Sequence, residues 1–557
     1  MEILRNVARE VEVGIVLSGA RTDKAICQVF EDMEGKIREG MFLVVKTRFE
    51  NRQLFILSRV AKIEAYNEFF EVGDVWSEAR RKRQELPIAL ARRYIVCELE
   101  LLGVLPRLDY VPHPPYPGDK VYLLSNVENI FSSLVRKDEI CFSFGDLYGY
   151  EKLPIIMRIE ALPMHIAVLG VTGSGKSYTV GYLIERLSQI KVDGETIGYP
   201  IVIIDANGDY LDYYYHKRNT NTPLLPNVKR YVFPSSYAAF NDMNSTLIKI
   251  DLNLLSPRDL AEIIVDYYKL LGSELSVSLL ERVLADVLVS GLANMNAIFY
   301  DDTLFRNEIE SRILESEFHY QTKAAALRAI TTFREDIKKL KLIPNANEKS
   351  TITYRFIDDL TENFEISIFD FSVDGATGIS IKMKQLVVSY LSKLLFKRFT
   401  DYKMGRVPVD GYRGARYAIF IIEEAQNYCP NIDRYPVGSS VARETLAMIA
   451  TQGRKFGLGL VLITQRPSFV DPIVMSMVNT YIIHRISPED VGYVRRIVGG
   501  LPESIIRKLT SLETGVAVIH GQALPLPFPL LVRIPRRFVR PTIGTTDVSN
   551  YLRKRVA

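Results

Sequence analysis

The spacing of apolar positions changes partway along the chain. Over about the first 155 residues they fall in short, alternating runs rich in β-branched and aromatic side chains: Val11–Leu17, Ala25–Phe30, Met41–Lys46 and Leu54–Ile63. Turn elements such as Ser18-Gly19 and Glu39-Gly40 separate them. A charged stretch near Trp76–Glu85 predicts a helix, and Ala91–Leu102 and Lys120–Leu124 predict two more strands. Many short strands at close spacing predict a small β-barrel over residues 1–155, an architecture suited to docking.

From about residue 156 the period lengthens to strands alternating with helices, which predicts an α/β domain built on a parallel sheet. Its expected core strands are Ile166–Leu169, Ile201–Ile204, Ile366–Phe369, Tyr417–Ile422 and Leu458–Thr464. A helical insertion is expected over about 256–345. It opens on Ser256-Pro257-Arg258-Asp259, a capping arrangement with proline at the first helical position. Leu260, Ile263, Ile264, Tyr267, Tyr268 and Leu271 then share one helical face. The core is expected to run over 156–530, followed by a basic tail over 531–557.

Composition narrows the class. Apolar residues make up 47% and charged residues 24% of 557 positions, the profile of a globular protein of two or three domains. Runs such as Ala418–Ile422 and Leu458–Ile463 are far shorter than the roughly 20 residues of a spanning helix, so no membrane association is expected. Met1–Glu10 offers no signal-peptide core. Cys27, Cys97, Cys141 and Cys429 are scattered, which argues against a disulfide framework or zinc site and for a cytoplasmic setting. The net charge of +4 permits nucleic-acid binding without arguing for it.

The most specific chemistry lies at Gly170-Val171-Thr172-Gly173-Ser174-Gly175-Lys176-Ser177, which satisfies GxxxxGK[ST] between an apolar strand and an apolar-periodic helix. Glycines let successive N–H groups turn inward around phosphate oxygens at a positive helix end. Gly170, Thr172, Gly173, Ser174, Gly175, Lys176, Ser177 and the following Tyr178 are the candidate nucleotide contacts. Lys176 is expected at the β- and γ-phosphates of ATP, and the Ser177 hydroxyl at Mg²⁺.

Two carboxylates, Glu423 and Glu424, end the apolar strand Tyr417–Ile422. Acids at the mouth of a buried strand are costly unless a cation meets them. Glu423 is the candidate for the metal's water shell and Glu424 for polarising the attacking water. The alternative is a helix N-terminus whose dipole favours acids. Gln465, at the tip of Leu458–Thr464, can hold the attacking water or sense the γ-phosphate; otherwise it is a turn residue before Pro467. Asp209, in Asp205–Tyr210, either supports the metal, couples the site to a neighbour, or belongs to an Asx-rich turn.

Together these residues resemble the HerA family within the HerA/FtsK superfamily. The resemblance is carried by the phosphate loop, Asp205–Tyr210, Ile422-Glu423-Glu424-Ala425-Gln426, and Ala450-Thr451-Gln452-Gly453-Arg454-Lys455-Phe456-Gly457-Leu458-Gly459 running into Thr464-Gln465-Arg466-Pro467. It implies a RecA-like P-loop ATPase core beside a HAS-barrel-like domain, and a homo-hexamer with ATP between neighbours and DNA through the centre. It implies also a partner nuclease of the NurA type at the barrel end, in DNA-end processing and repair. By the same resemblance Arg454 is the candidate arginine finger reaching the next subunit's γ-phosphate; its plain alternative is a surface cation ending a helix. The chain departs from the family pattern where Asp205-Ala206-Asn207-Gly208-Asp209 stands for the more usual Asp-Pro-His-Gly-Glu. Gln426 replaces a frequent His and Met164 a frequent Arg, changes that bear on the wiring between subunits.

Two basic clusters are candidates for DNA contact or for a solvated face: Tyr213-Tyr214-Tyr215-His216-Lys217-Arg218, and Arg334 with Lys338, Lys339 and Lys341. Beside the nuclease-coupled translocase stand two further readings: a genome-packaging or DNA-transfer pump, and an ATP-dependent switch without nucleic acid.

Overall fold

A computed structural model of the chain describes residues 11–541, apart from 68–69, 71–72, 74, 85–92, 125, 137, 151, 221–222, 237–243, 269–273, 290–293, 373–378, 408–415 and 435–438. The expected positions 1–10, 91–92, Leu271 and 542–557 lie outside the described residues.

Six strands close into an antiparallel barrel in the order β1-β2-β5-β4-β3-β6: β1 Glu12–Val16, β2 Lys24–Val29, β3 Phe42–Phe49, β4 Arg52–Asn67, β5 Arg93–Val104 and β6 Lys120–Leu123. Alternation decides which side chains fill it. Leu43, Val45, Ile56 and Leu99 point inward, with Val13, Ala25, Cys27 and Val121. The other face of β3 and β4 is buried too, which is why Phe42-Leu43-Val44-Val45 is apolar without interruption. Phe42, Val44, Phe55 and Leu57 pack against the larger domain, where Phe42 meets Phe131 edge-on at 5.4 Å and its N–H donates to the Tyr150 hydroxyl at 2.8 Å. Lys508 reaches Glu39 at 2.9 Å, and the buried Arg59 bonds both Glu100 and the Pro529 carbonyl.

The larger domain holds one twelve-stranded sheet in the order β14-β13-β15-β12-β16-β17-β9-β18-β19-β20-β7-β8. Its parallel part comprises β9 Ile166–Leu169, β12 Ile201–Asp205, β13 Val228–Val232, β14 Thr246–Leu247, β15 Ile366–Asp370, β16 Ala418–Ile422, β17 Leu458–Thr464 and β18 Thr480–Ile483. The antiparallel part is β19 Val516–Gly521, β20 Leu530–Arg533, β7 Cys141–Leu147 and β8 Pro154–Arg158. A separate hairpin is formed by β10 Ile190–Val192 and β11 Glu195–Ile197. The central parallel strands β9, β16 and β17 are buried on both faces, so they read as nearly continuous apolar runs.

The principal helices are α1 Lys176–Leu187, α2 Leu211–Thr220, α3 Pro257–Tyr268, α4 Glu274–Val289, α5 Tyr320–Lys339, α6 Ile381–Lys403, α7 Arg443–Phe456 and α8 Pro488–Val498. At the start of α3 the Asp259 N–H donates to Ser256 Oγ at 3.1 Å while the Ser256 hydroxyl donates back to the Asp259 carboxylate. Leu260, Ile263, Ile264 and Tyr267 are buried and Tyr268 half-buried, as the helical period predicts. No helix among the described residues is long and apolar enough to cross a membrane.

Two expected boundaries move. β7 and the first two residues of β8 lie before the division set at 155, yet the two strands complete the large sheet through β20 rather than the barrel. Alternating runs look alike whichever sheet receives them, and only the tertiary partner decides. The tail expected from 531 begins inside β20, and residues 534–541 then cross α1 as a strap. The Glu185 carboxylate accepts the N–H groups of Phe538 at 3.0 Å and Val539 at 3.1 Å, and lies 3.7 Å from the Arg537 guanidinium. Gly181 is what lets that guanidinium lie flat on α1, because a Cβ there would stand 2.5 Å from Arg537 Cζ.

Removing one partner of a buried ion pair leaves the other charge uncompensated and costs about 3 kcal/mol. Glu185→Ala is therefore expected to lower the urea midpoint by that equivalent. An unchanged midpoint would mean that the strap contributes nothing to the fold.

Candidate nucleotide site

Strand register brings the site together. Asp205 pairs with Asp370, Ile204 with Ile422, Ile422 with Leu462 and Thr464 with Leu169. The residues that follow those strand ends, Glu423, Glu424, Gln465 and Gly170, therefore share the carboxyl edge of the parallel sheet, where such sheets bind ligands.

The phosphate loop joins β9 to α1. Gly175 is left-handed (φ 108°) at the helix cap. Gly170 admits no side chain, because a Cβ would lie 2.7 Å from Ser174 Oγ and 2.8 Å from His484 Cβ. A loop before β19 supports the phosphate loop from outside: the Gly515 N–H donates to Ser174 O and the Thr514 hydroxyl to Gly173 O, both at 3.3 Å. Beneath it the buried His484 lies 2.9 Å from Thr179 Oγ1. Sequence reading missed Thr514, Gly515 and His484, and Gly515 alone, as a turn residue, carried any signal.

Lys176 donates to the Val171 carbonyl at 3.1 Å. Burial pulls its pKa down, opposed by the charges of Glu424, Glu423 and Asp209, so the lysine and all three acids share one electrostatic site. The Ser177 hydroxyl donates to Glu423 Oε1 at 3.2 Å. Glu423 Oε2 accepts the N–H groups of Ala206 at 3.0 Å and Asn207 at 3.2 Å. Glu423 is buried, and desolvation together with Asp205, Asp209 and Glu424 pushes its pKa well above the carboxylate range; Asp209 also hydrogen-bonds to it.

The Asx turn belongs to Asp205, not Asp209. Asp205 accepts from the N–H groups of Gly208, Asp209 and Tyr210 at 2.7–3.0 Å, and burial pushes it up to about 7. Asp209 is the member of that segment facing the lysine.

Glu424 sits in the left-handed region (φ 51°, ψ 50°), which for a non-glycine residue costs roughly 1–3 kcal/mol and is held where surroundings over-determine it. Those surroundings are polar. Gln465 Nε2 donates to its two oxygens at 3.3 and 3.4 Å, Gln426 Nε2 donates to Oε2, and the Thr172 hydroxyl donates to Gln465 Oε1 at 2.6 Å. Thr464 in turn holds Gln426 at 2.7 Å. A chain of hydrogen bonds thus runs from the phosphate loop through Gln465 to Glu424, and Gln426 and Thr464 join the constellation that the sequence had centred on Gln465.

Tyr178 holds the strap, its hydroxyl accepting the Arg537 N–H at 2.9 Å with the Arg537 guanidinium over its ring. Arg454 is not brought to the site in its own chain. It is exposed in the last turn of α7, beside the amino end of β17, and seven strand residues separate the two edges by roughly 20 Å.

The basic clusters change meaning. Tyr213 and Tyr214 are core side chains of α2, and Lys217 donates to the Leu225 carbonyl. Arg334 is buried against the Phe299 carbonyl and Asp302, which also binds Lys338. Only Lys339 and Lys341 of that cluster remain as exposed cations.

The donors fit a hard cation carried with phosphates. Among the described residues no three His, Cys, Asp or Glu side chains form a metal cage. Mg²⁺ in phosphoryl sites needs none, taking a hydroxyl, one or two carboxylates, waters and phosphate oxygens. Ser177 and Glu423 supply that set.

Residues 142–395 match the family model described as "Helicase HerA, central domain". The "DNA double-strand break repair helicase HerA" of Sulfolobus acidocaldarius is 25% identical over 522 residues, covering 92% of each chain. The "Probable DNA double-strand break repair helicase HerA" of Methanocaldococcus jannaschii is 28% identical over 466 residues, covering 78% of this chain and 84% of that one. Among solved structures, the plasmid coupling protein TrwB in complex with a non-hydrolysable ATP analogue aligns with 75% of this chain and 94% of its own, at 15% identity and a TM-score of 0.48.

The raised carboxyl groups give a signed prediction. Glu423 and Asp205 hold protons more tightly than ordinary acids, and a cation favours their charged form. Binding of Mg²⁺-nucleotide at pH 7 is therefore expected to release protons, read as a binding heat that varies with the ionisation enthalpy of the buffer. Glu423→Gln should remove most of that release; net proton uptake by the parent protein would contradict the assignment.

Proposed function

We propose that the chain, as a member of the HerA family, is an ATP-driven DNA translocase working as a ring of six subunits. Its relatives' names place them in double-strand break repair, and by that kinship the ring acts in DNA-end processing with a partner nuclease of the NurA type at the barrel end. The observation that carries the reading is that the phosphate loop meets both acids, Ser177 bonding Glu423 and Thr172 bonding Gln465, which bonds Glu424.

Hydrolysis proceeds by in-line attack of water on the γ-phosphate. The loop amides and Lys176 grip the β- and γ-phosphates, and positioning with charge neutralisation does most of the work. Ser177 and Glu423 would hold Mg²⁺, which would supply charge neutralisation on the phosphate oxygens. Glu424 polarises the attacking water. Gln465, bonded to both Glu424 and Thr172, orients it and reports whether a γ-phosphate is present. Arg454 stands too far from its own site to join it, and serves the neighbour's.

Lys176→Ala and Glu424→Gln are expected to lower ATP turnover by at least about 10²-fold with the fold intact. Arg454→Ala is expected to lose about 10³-fold while still binding nucleotide. Mixing Arg454→Ala with Lys176→Ala chains should restore turnover, because some interfaces then pair an intact loop with an intact arginine. Turnover by the parent protein should rise on adding DNA; a rate indifferent to DNA would favour an ATP-dependent switch instead.

A further inference from the structure

One buried imidazole lies between the phosphate-loop strand and the helix that bears Arg454. His165 immediately precedes β9 and is 2% exposed. Its Nδ1 accepts the Leu460 N–H of β17 at 2.9 Å, and its Nε2 lies 2.9 Å from the Ala450 carbonyl of α7. An amide N–H can only donate and a carbonyl can only accept, so the partners fix the tautomer: Nδ1 is bare and Nε2 carries the proton. The backbone is held as firmly. His165 O accepts the N–H groups of Asn479 and Thr480, both at 3.3 Å, and its φ of 65° is a left-handed value that a residue other than glycine adopts only when its surroundings demand it.

Ala450 is four residues before Arg454 in the same helix. In the helical repeat, the carbonyl that His165 engages is the one that accepts the Arg454 N–H. At the other end, the four residues of β9 lead from His165 into Gly170. One side chain therefore ties the base of the phosphate-loop strand to the last turn of the arginine helix. The Arg454 charge is felt at the ring, which together with burial, the larger cause, pushes His165 down to about 4 and keeps it neutral in its donor–acceptor form near pH 7.

We propose that His165 is a positioning residue that sets where Arg454 is presented to the neighbouring subunit, through the Nε2–H bond to the Ala450 carbonyl. This rests on the reading of Arg454 as the arginine that completes a neighbour's site. His165 touches no nucleotide and acts only through α7, so its loss lowers the rate at saturating ATP and leaves the grip on nucleotide alone.

The test uses the full chain in its assembled state. His165→Asn tolerates a positive φ and keeps an acceptor for the Leu460 N–H, but is too short to reach the Ala450 carbonyl. His165→Gln extends an amide donor to it. The expected result is a kcat at least about tenfold lower for His165→Asn, largely recovered in His165→Gln, with affinity for a non-hydrolysable ATP analogue and native mass within twofold and unchanged respectively. Placed in the Arg454→Ala background, His165→Asn should cost nothing further. If the two losses multiply instead, or analogue affinity falls in step with kcat, the proposal is overturned while the finger reading stands. If Arg454→Ala alone leaves kcat intact, the finger reading itself has failed. Should His165→Asn not fold, the same cycle is run with His165→Gln, whose remaining shortfall must likewise vanish once Arg454 is gone.

Discussion

A buried carboxyl group beside the phosphate loop is the constraint around which this chain is organised. Glu423 accepts three hydrogen bonds, from Ser177, Ala206 and Asn207, and still lies among Asp205, Asp209 and Glu424. Charging that cluster is unfavourable unless a cation joins it, which is why Glu423 holds its proton so tightly. The carboxyl edge of the sheet is therefore built for its ligand rather than for its own stability. The left-handed backbone of Glu424 points the same way, since strain of that kind persists where the surroundings impose it.

The remainder of the molecule secures that edge. Parallel register lines up the strand ends, the Thr514–Gly515 loop and His484 brace the phosphate loop, and the strap over α1 fixes the helix that begins at Lys176. The barrel is joined to the core by the outer face of β3 and by Arg59 and Lys508, so a partner at the barrel would be mechanically connected to the sheet. Arg454 stands in the last turn of α7, at the opposite edge of the sheet from its own chain's phosphate loop.

What could be read in the sequence follows from how local each signal is. The phosphate loop is contiguous, and its chemistry needs only the strand before it and the helix after it. Glu423 and Glu424 stood out because acids abutting five buried apolar residues are conspicuous. Thr172 meeting Gln465, Gln426 meeting Thr464 and Thr514 meeting Gly173 were not legible, since each joins residues that only the fold makes neighbours. The strand β13 was hidden by Lys229 and Arg230, which look exposed until Asp370 is seen pairing with Arg230 in the interior. The run Tyr213–Arg218 misled for the converse reason: its tyrosines face the core of α2, and aromatic residues beside cations look the same on a core face and a binding face. The division at 155 left β7 and the start of β8 on the barrel side, because no local pattern shows that β7 pairs with β20, nearly four hundred residues further on.

The central claim is that one chain holds an incomplete catalytic site that a neighbour completes. It is tested most directly by following ATP turnover per chain during dilution, with native mass measured on the same samples. The account predicts that turnover vanishes as assemblies give way to single chains, although those chains still bind ATP. Single chains that hydrolyse ATP at the rate of the assembled protein would contradict it.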